Sequence, residues 1–406
     1  MNAVKKYFSS IKERFKIKNY LTYFIFLIII AILLPLGLTG SLKSSNEFLL
    51  EQIGYNIIAA ISLSLVVGFL GELSLGHAGF MCIGAMFGTL FQSVVYPNLT
   101  QSAPLLALII AMLIGGLIAG IFGILIGLPA LRLKGDYLAI VTLAFCQIVK
   151  TVFNQIKLFC GETGTGIANQ RYDRHTLFIV MFVVALLSLI VINNFIKSKH
   201  GRAVMAIRDN EIAARAMGVN VSFNKIFVFA FSSFIAGIAG VLVAATQSTV
   251  SANQFDYNYS INILVMVVLG GMGNINGSIV AATLITFLNV TLNKYLPSEI
   301  APVKDVIYAL ILILLVIYNN APKMKNMREK YNLRNLYEWL KGKVVKLFTK
   351  KQAQPDPANE KEFGADWSKV PTKIEMDAIL STDVTPSKTY EPDKPDKNAD
   401  KGEGDE

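Results

Sequence analysis

Long apolar stretches without a single Asp, Glu, Lys or Arg limit the possible folds of this chain more than any other feature. They cover residues 52–71, 105–131, 177–196, 226–255, 257–293 and 306–322. A helix needs about 20 apolar residues to cross the ~30 Å hydrocarbon core of a bilayer. Only 16% of all residues are charged, against about 25% in soluble domains. The sequence therefore predicts an all-α, polytopic integral membrane protein rather than a large soluble helical core.

The lengths of these stretches and the polar breaks between them predict about ten membrane spans. They cover residues 21–38, 50–70, 78–96, 105–129, 137–156, 177–196, 226–246, 259–272, 278–296 and 303–320. The first stretch follows a basic start, but it is longer than the apolar core of a secretory signal and lacks a small-residue cleavage site, so we interpret it as a span. The third and eighth spans are the ones for which a re-entrant half-helix is an alternative.

Basic residues predict the orientation, because cytoplasmic loops of membrane proteins are enriched in Lys and Arg. Four basic clusters, at 5–18, 132–134, 197–225 and 323–328, fall on one side when ten spans are counted. The connections predicted on the other side, such as 96–104 and 247–258, contain no Lys or Arg. We therefore expect a basic cytoplasmic N-terminus over 1–20, a transmembrane domain over 21–322 and a cytoplasmic C-terminus.

Two segments of different character follow the last predicted span. Residues 323–350 hold nine Lys or Arg against two Glu, with apolar residues every three or four positions. This pattern predicts a basic amphipathic helix on the membrane surface; a solvated or partner-docking helix is the alternative. Residues 351–406 are Pro-rich, with fourteen acids against eight lysines. They lack the apolar residues for a core, so we expect a disordered acidic tail.

The segment GRAVMAIRDNEIAARAMGVN, residues 201–220, is short and polar in an otherwise apolar chain. Asp209 or Asn210 can cap the start of a helix, because their side chains accept hydrogen bonds from free backbone amides. Glu211 and Arg215 are four residues apart, so their opposite charges meet on one helix face. The apolar residues form a narrow stripe of Ile212, Ala213, Ala216 and Met217.

Gly218 is expected to end this helix, because glycine adopts the left-handed conformation that follows a last helical turn. A helix of about two turns is marginal alone in water and requires a surface to pack on. Either it packs against the ends of neighbouring spans, or it docks into a groove of a soluble partner and transmits motion. The pattern alone does not separate these alternatives.

Four segments together resemble one family of membrane proteins. IRDNEIAARAMGVN is similar to the cytoplasmic loop of permeases of ATP-binding-cassette (ABC) importers, specifically the branched-chain amino acid (LivM-type) permeases. The other segments are SLGHAGFMCIGA at 74–85, LPALRLKGDYLAIVTLAF at 128–145 and VLGGMGNINGSIVAA at 268–282. The resemblance runs from about residue 51 to residue 322 in the family's order and spacing.

The resemblance implies that residues 197–225 form a coupling loop, whose short helix fits a cleft in a separate ATPase subunit. The residues implied in coupling are Arg208, Asp209, Asn210, Glu211, Ala213, Ala214 and Gly218. Ala213, Ala214 and Gly218 match the Glu-Ala-Ala-x-x-x-Gly loop of importer permeases in general. The acid stands one residue earlier here, as in the branched-chain branch, and either Asp209 or Glu211 is the acid that faces the ATPase.

The resemblance also implies the function and the partners. The chain is expected to be an inner-membrane permease subunit for branched-chain or other apolar amino acids. Expected partners are the lipid bilayer, a second homologous permease chain, two ABC ATPase subunits and an extracytoplasmic amino-acid-binding protein, but no nucleic acid. No G-x-x-x-x-G-K-[ST] phosphate-binding loop occurs in the sequence. We therefore expect no enzymatic activity in this chain, with ATP and Mg bound by the ATPase subunits. The three cysteines and three histidines are too scattered for a metal site, so we expect no metal or cofactor here.

Two glycine-interrupted tracts are candidates for the translocation path or a gate, because broken helices expose backbone groups to solutes. The residues are Gly71, Glu72, Gly76, His77 and Gly79 in the first tract, and Gly270, Gly271, Gly273, Asn274 and Gly277 in the second. Close helix packing is the alternative explanation for the glycines. Gln147, Lys150 and Asn154 recur at helical spacing and can line a polar path, unless Lys150 extends toward the membrane surface.

Three other functions remain open at the level of sequence. A urea or short-amide ABC permease would have a very similar chain. A secondary transporter would work without an ATPase, although the scarcity of Asp and Glu within the spans argues against proton coupling. An intramembrane enzyme would need a nucleophile or a metal cluster, and no such combination of His, Glu, Ser or Lys occurs within the predicted spans.

Overall fold

The computed structural model describes residues 44–95, 103–133, 135–160, 166–169, 172, 174–295, 310 and 313. The predicted first span (21–38) and, apart from residues 310 and 313, the tenth (303–320) lie outside these residues. The basic N-terminus (1–20), the predicted amphipathic helix (323–350) and the acidic tail (351–406) also lie outside them.

The described part of the chain is almost entirely helical. Its α-helices are α1 Ser44–Ser64, α2 His77–Leu90, α3 Pro104–Ala130, α4 Asp136–Gln155, α5 Lys157–Cys160, α6 Arg174–Lys197, α7 Lys199–Asp209, α8 Glu211–Ala216, α9 Val221–Thr246, α10 Tyr257–Gly270 and α11 Ile275–Tyr295. Helix α1 continues as a π-helix over Leu65–Leu70, and α2 continues as one over Phe91–Val95. Two short strands, β1 Ile167–Ala168 and β2 Thr249–Val250, pair in antiparallel fashion.

Six helices within the described ranges are long and apolar enough to cross a membrane. They cover Ser45–Leu70, Pro104–Ala130, Asp136–Gln155, Thr176–Lys197, Val221–Thr246 and Ile275–Leu292. These helices coincide with the predicted second, fourth, fifth, sixth, seventh and ninth spans. The chain is therefore an all-α, polytopic membrane protein, because uncharged runs of this length satisfy their backbone hydrogen bonds internally only as helices.

Helix α9 packs closely against α2 and α3. Small residues allow this close approach, as is common between membrane helices. A methyl group added at Gly240 would overlap the backbone carbonyl of Met81, and one added at Gly84 would overlap that of Gly237. The glycines in these helices therefore set the distance between the helix axes.

Replacing Gly240 by alanine is expected to destabilise the protein by about 1–3 kcal/mol, because the new methyl group forces α9 away from α2. Gly120→Ala is the matched control, since its methyl group would meet Phe234 Cβ at 3.4 Å, an ordinary contact. Thermal unfolding in detergent, followed by size-exclusion chromatography, measures both variants. An unchanged melting temperature for Gly240→Ala would show that the two helices have room to separate.

The predicted third and eighth spans correspond to α2 and α10, whose first turns lie in the interior of the bundle. Helix α10 has 14 residues, which at 1.5 Å per residue is about 21 Å and less than a bilayer core. The α-helical part of α2 has 14 residues, and its π-helical continuation extends the helix to Val95. The starts of the two helices meet, since the backbone amide of Ala78 donates to Ser260 Oγ over 2.8 Å. Both residues are buried. The non-helical segments that precede the two helices therefore lead into the interior of the bundle.

Candidate functional site

Helix α8 begins and ends through local interactions of its own residues. Asn210 is the residue that caps it, because Asn210 Oδ1 accepts from the backbone amides of Ile212 and Ala213, each over 3.0 Å. Asp209 instead ends α7, and its carboxylate pairs with Arg208. Gly218 has φ +81° and ends the segment as predicted. A residue with a Cβ atom disfavours this left-handed conformation, which explains the glycine.

The predicted apolar stripe of α8 faces away from the rest of the described chain. Ile212 is 82% exposed and Met217 is 84% exposed. Ala214 is the buried residue of the helix, and it packs with Ile207 and Val221. Helix α8 therefore rests on the bundle through one small residue and presents its larger apolar side chains outward.

A chain of ion pairs connects α8 with the break that follows α1. Arg215 contacts Glu211 at 3.1 Å, and the other carboxylate oxygen of Glu211 lies 3.3 Å from Lys225 Nζ. Lys225 also contacts Glu72 Oε1 at 2.6 Å. The side chain of Lys225 is only 6% exposed, and a buried ammonium group requires such partners. We call these four residues the ion-pair chain.

Sequence reasoning did not single out Lys225 as a site residue. It counted only as one of the basic residues of the 197–225 loop. Lys225 lies within the first turns of a long apolar helix. This position could have identified it, because an ionisable residue there usually pairs with another group. The partner, Glu72, was predicted as a path or gate residue.

Arg208 forms a second connection between the loop and the bundle. Its Nη1 donates to the carbonyl oxygen of Gly68, in the π-helix, over 3.0 Å. A methyl group added at Gly71 would lie 2.7 Å from Arg208 Cγ, and one at Gly273 would lie 3.4 Å from Arg208 Nη1. The first part of one glycine tract and the turn of the other therefore meet beside Arg208. We call this region the α8 end of the bundle.

The second glycine tract forms the tight turn between α10 and α11. Gly271 and Gly273 have φ of +90° and +82°, a conformation that favours glycine. Gly270 and Gly277 lie against each other, and a methyl group on either would overlap the backbone of the other. Asn274 Oδ1 accepts from the backbone amide of Gly277 over 3.3 Å. Close packing thus accounts for Gly270 and Gly277, whereas the turn residues lie at the α8 end.

The first glycine tract extends from the α8 end into the bundle. The backbone at Gly76 lies against the carbonyl of Thr142 in α4, and Gly79 lies against Cys146 one turn further along α4. His77 is 2% exposed, and its Nε2 is 2.7 Å from Ser62 Oγ. Glu72 and His77 are therefore in different environments, one in the ion-pair chain and one in a buried polar contact with α1.

Gln147, Lys150 and Asn154 bind the segment that precedes α10. Gln147 Nε2 donates to Asp256 Oδ1 over 2.9 Å, and Lys150 Nζ lies 3.2 Å from the same oxygen. Asn154 Nδ2 donates to Asn253 Oδ1 over 2.8 Å. Desolvation raises the pKa of Asp256, but the hydrogen bonds from Gln147, the Tyr257 amide and Lys150, together with the charge of Lys150, outweigh it and lower the pKa overall. These side chains join α4 to residues 253–256 and are not part of the ion-pair chain.

Comparison with known families decides the class of this protein. Residues 45–316 match the family described as "Branched-chain amino acid transport system / permease component". The chain belongs to this family. All candidate coupling and path residues lie within the matched range, so the ion-pair chain and the two glycine tracts are parts of the permease component itself.

Individual relatives within the permease family carry related names. The chain is 35% identical over 260 residues to the high-affinity branched-chain amino acid transport system permease protein LivM of Salmonella typhimurium, covering 56% of this chain and 59% of the relative. It is 24% identical to a probable LivM of Methanocaldococcus jannaschii, covering 67% and 91% of the two chains. A shorter match, 34% over 99 residues, is to the ribose import permease protein RbsC of Haemophilus influenzae, covering 23% and 30%.

The chain spans about three fifths of the length of the bacterial LivM relatives that it matches. None of the solved structures matches the chain with statistical significance.

Proposed function

We propose that this chain is the transmembrane permease subunit of an ATP-driven ABC importer in the bacterial inner membrane. The cargo is a branched-chain or other apolar amino acid, delivered by an extracytoplasmic binding protein. The subunit works with a second homologous permease chain and two ABC ATPases, which bind ATP and Mg. The family match and the LivM relatives support the cargo class. The observation that carries the mechanism is the exposed helix α8 joined to the broken helices by the ion-pair chain.

The proposed topology has ten spans with both ends in the cytoplasm. The six candidate spans support it, because each lies at a predicted position. The positive-inside rule supports the orientation, since the 197–225 loop with its Lys and Arg residues is then cytoplasmic. In this topology the α8 end of the bundle is the cytoplasmic end.

Helix α8 is the proposed coupling helix, and its apolar stripe is the surface that enters the ATPase cleft. Of the two candidate acids, Asp209 is the one proposed to face the ATPase. Its side chain is 69% exposed, whereas that of Glu211 is 23% exposed and lies between Arg215 and Lys225. Glu211 then has the different task of joining α8 to the bundle.

Movement of the coupling helix reaches the glycine tracts by two routes. The first runs through Glu211 and Lys225 to Glu72, and the second runs from Arg208 to the carbonyl of Gly68. The first route ends in the break between α1 and α2, and the second ends in the π-helix just before this break, beside Gly273 of the Gly271–Asn274 turn. We propose that this region is the cytoplasmic gate, which the ATPases bias between two discrete arrangements.

The test of this function is uptake of labelled leucine in cells with and without the chain, competed by isoleucine, valine, urea and ribose. Loss of uptake that isoleucine and valine compete for is the expected result. A defect confined to the uptake of urea or ribose would show that this solute is the cargo, and the chain would still be an importer permease. Uptake that persists without the ATPase but collapses with an ionophore would identify a secondary transporter instead.

A further inference from the structure

A polar cavity of about 430 Å³ lies between the end of α3 and helix α8. This volume is within the ~300–1,000 Å³ range of small-molecule pockets. On α8 the cavity is lined by Glu211 and Arg215, whereas the exposed Ile212 and Met217 are not among its lining residues. Its lining includes Leu128, Arg132, Glu211, Arg215, Ser222 and Lys225.

The charges in this cavity favour an anion. Three cations and one carboxylate line it. Lys225 is balanced by the partly buried Glu72 and by Glu211, and Arg215 is paired with Glu211. Arg132 is exposed and makes no hydrogen bond or ion pair through its side chain within the described ranges. The first turn of α9 also lines the cavity, and the N-terminus of a 26-residue helix carries partial positive charge.

An exposed apolar surface continues directly from the cavity along α3. Leu128, Leu125 and Ile121 are 50%, 59% and 52% exposed, and they are spaced three and four residues apart on one helix face. Helix α3 is a candidate membrane span of 27 residues with mean hydropathy 2.8. A basic pocket at the end of such a face has the two features that an anionic phospholipid requires, a site for its phosphate and a surface for its acyl chains.

We propose that this cavity binds the phosphodiester headgroup of an anionic phospholipid, with the acyl chains lying on the Leu128–Ile121 face of α3. Arg132 is the principal phosphate ligand, and Arg215 is the second. Because Arg215 belongs to α8 and Arg132 follows α3, a bound lipid joins the two elements and restrains α8. The proposal concerns lipid binding by this chain and holds whatever the transported solute is.

The experiment uses the full chain, purified and reconstituted into phosphatidylcholine nanodiscs that contain a minor fraction of phosphatidylglycerol. Native mass spectrometry measures the retained phosphatidylglycerol. Arg132→Gln is expected to lower its retention about fivefold, the contribution of one basic residue near an anionic surface. Arg132→Lys should retain most of the binding. Arg202→Gln is the matched control, because Arg202 is exposed on α7 and donates to Lys197 outside the cavity.

Two outcomes would overturn the proposal. Equal losses in Arg132→Gln and Arg202→Gln would show diffuse attraction to the membrane surface instead of a site. Displacement of the lipid by millimolar glycerol phosphate as effectively as by phosphatidylglycerol would identify a soluble phosphate ligand. Size-exclusion profiles of all variants confirm folding, which is expected because the replaced side chains are exposed.

Discussion

Replacing Lys225 by methionine is expected to abolish ATP-dependent uptake and to destabilise the protein by about 3 kcal/mol. The substitution leaves the carboxylate of Glu72 without its 2.6 Å partner in a region where its side chain is only 12% exposed. Removing one member of a buried ion pair costs about 3–5 kcal/mol, because the remaining charge is uncompensated. Thermal unfolding of the purified variant and labelled leucine uptake in cells measure the two effects.

The double variant Lys225→Met, Glu72→Gln separates a structural role from transmission of motion. Without either charge the desolvation cost disappears, so stability is expected to return toward that of the wild type. Uptake stays abolished if the ion-pair chain transmits the movement of α8. Recovery of both stability and uptake would show that Lys225 has only a structural role. Arg202→Gln is the control, since its exposed side chain lies outside the ion-pair chain and donates to the Lys197 carbonyl, so stability should change by less than about 0.5 kcal/mol.

Placing glutamate at both Ile212 and Met217 is expected to weaken association with the ATPase by about 30-fold or more, the effect of losing a typical interface hot spot. The two side chains are 82% and 84% exposed, so folding and membrane insertion should be unchanged. Co-purification of the ATPase with the tagged chain measures the association. Uptake should fall in parallel, because the proposed motor is then detached.

The control for this experiment keeps the apolar surface. Ile212→Leu, Met217→Leu preserves size and hydrophobicity, so association should stay within about twofold of the wild type. Normal association in the double glutamate variant, at normal abundance in the membrane, would show that the exposed stripe is not part of the interface with the ATPase. The ion-pair chain would then have no movement of α8 to transmit to the bundle.

Sequence patterns predicted the features that depend on neighbouring residues. The six candidate spans follow from uncharged apolar runs, whose length alone is enough for a helix to cross a bilayer. The end of α8 follows from Gly218, its start was predicted to within Asp209 or Asn210, and the Glu211–Arg215 pair follows from their spacing. Each of these interactions joins residues within one or two helical turns, so the local pattern contains both partners.

Only the tertiary structure decided which distant residues meet. Lys225 and Glu72 are 153 positions apart, and Arg208 and Gly68 are 140 apart. The helical spacing of Gln147, Lys150 and Asn154 places them on one face of α4, but their contacts with the segment at 253–256 were not evident from it. Likewise, the stripe of α8 was visible in the sequence, whereas its outward orientation depends on Ala214 packing against the bundle. The period of a helix determines which side chains share a face, but the rotation and packing of the helices determine what that face contacts.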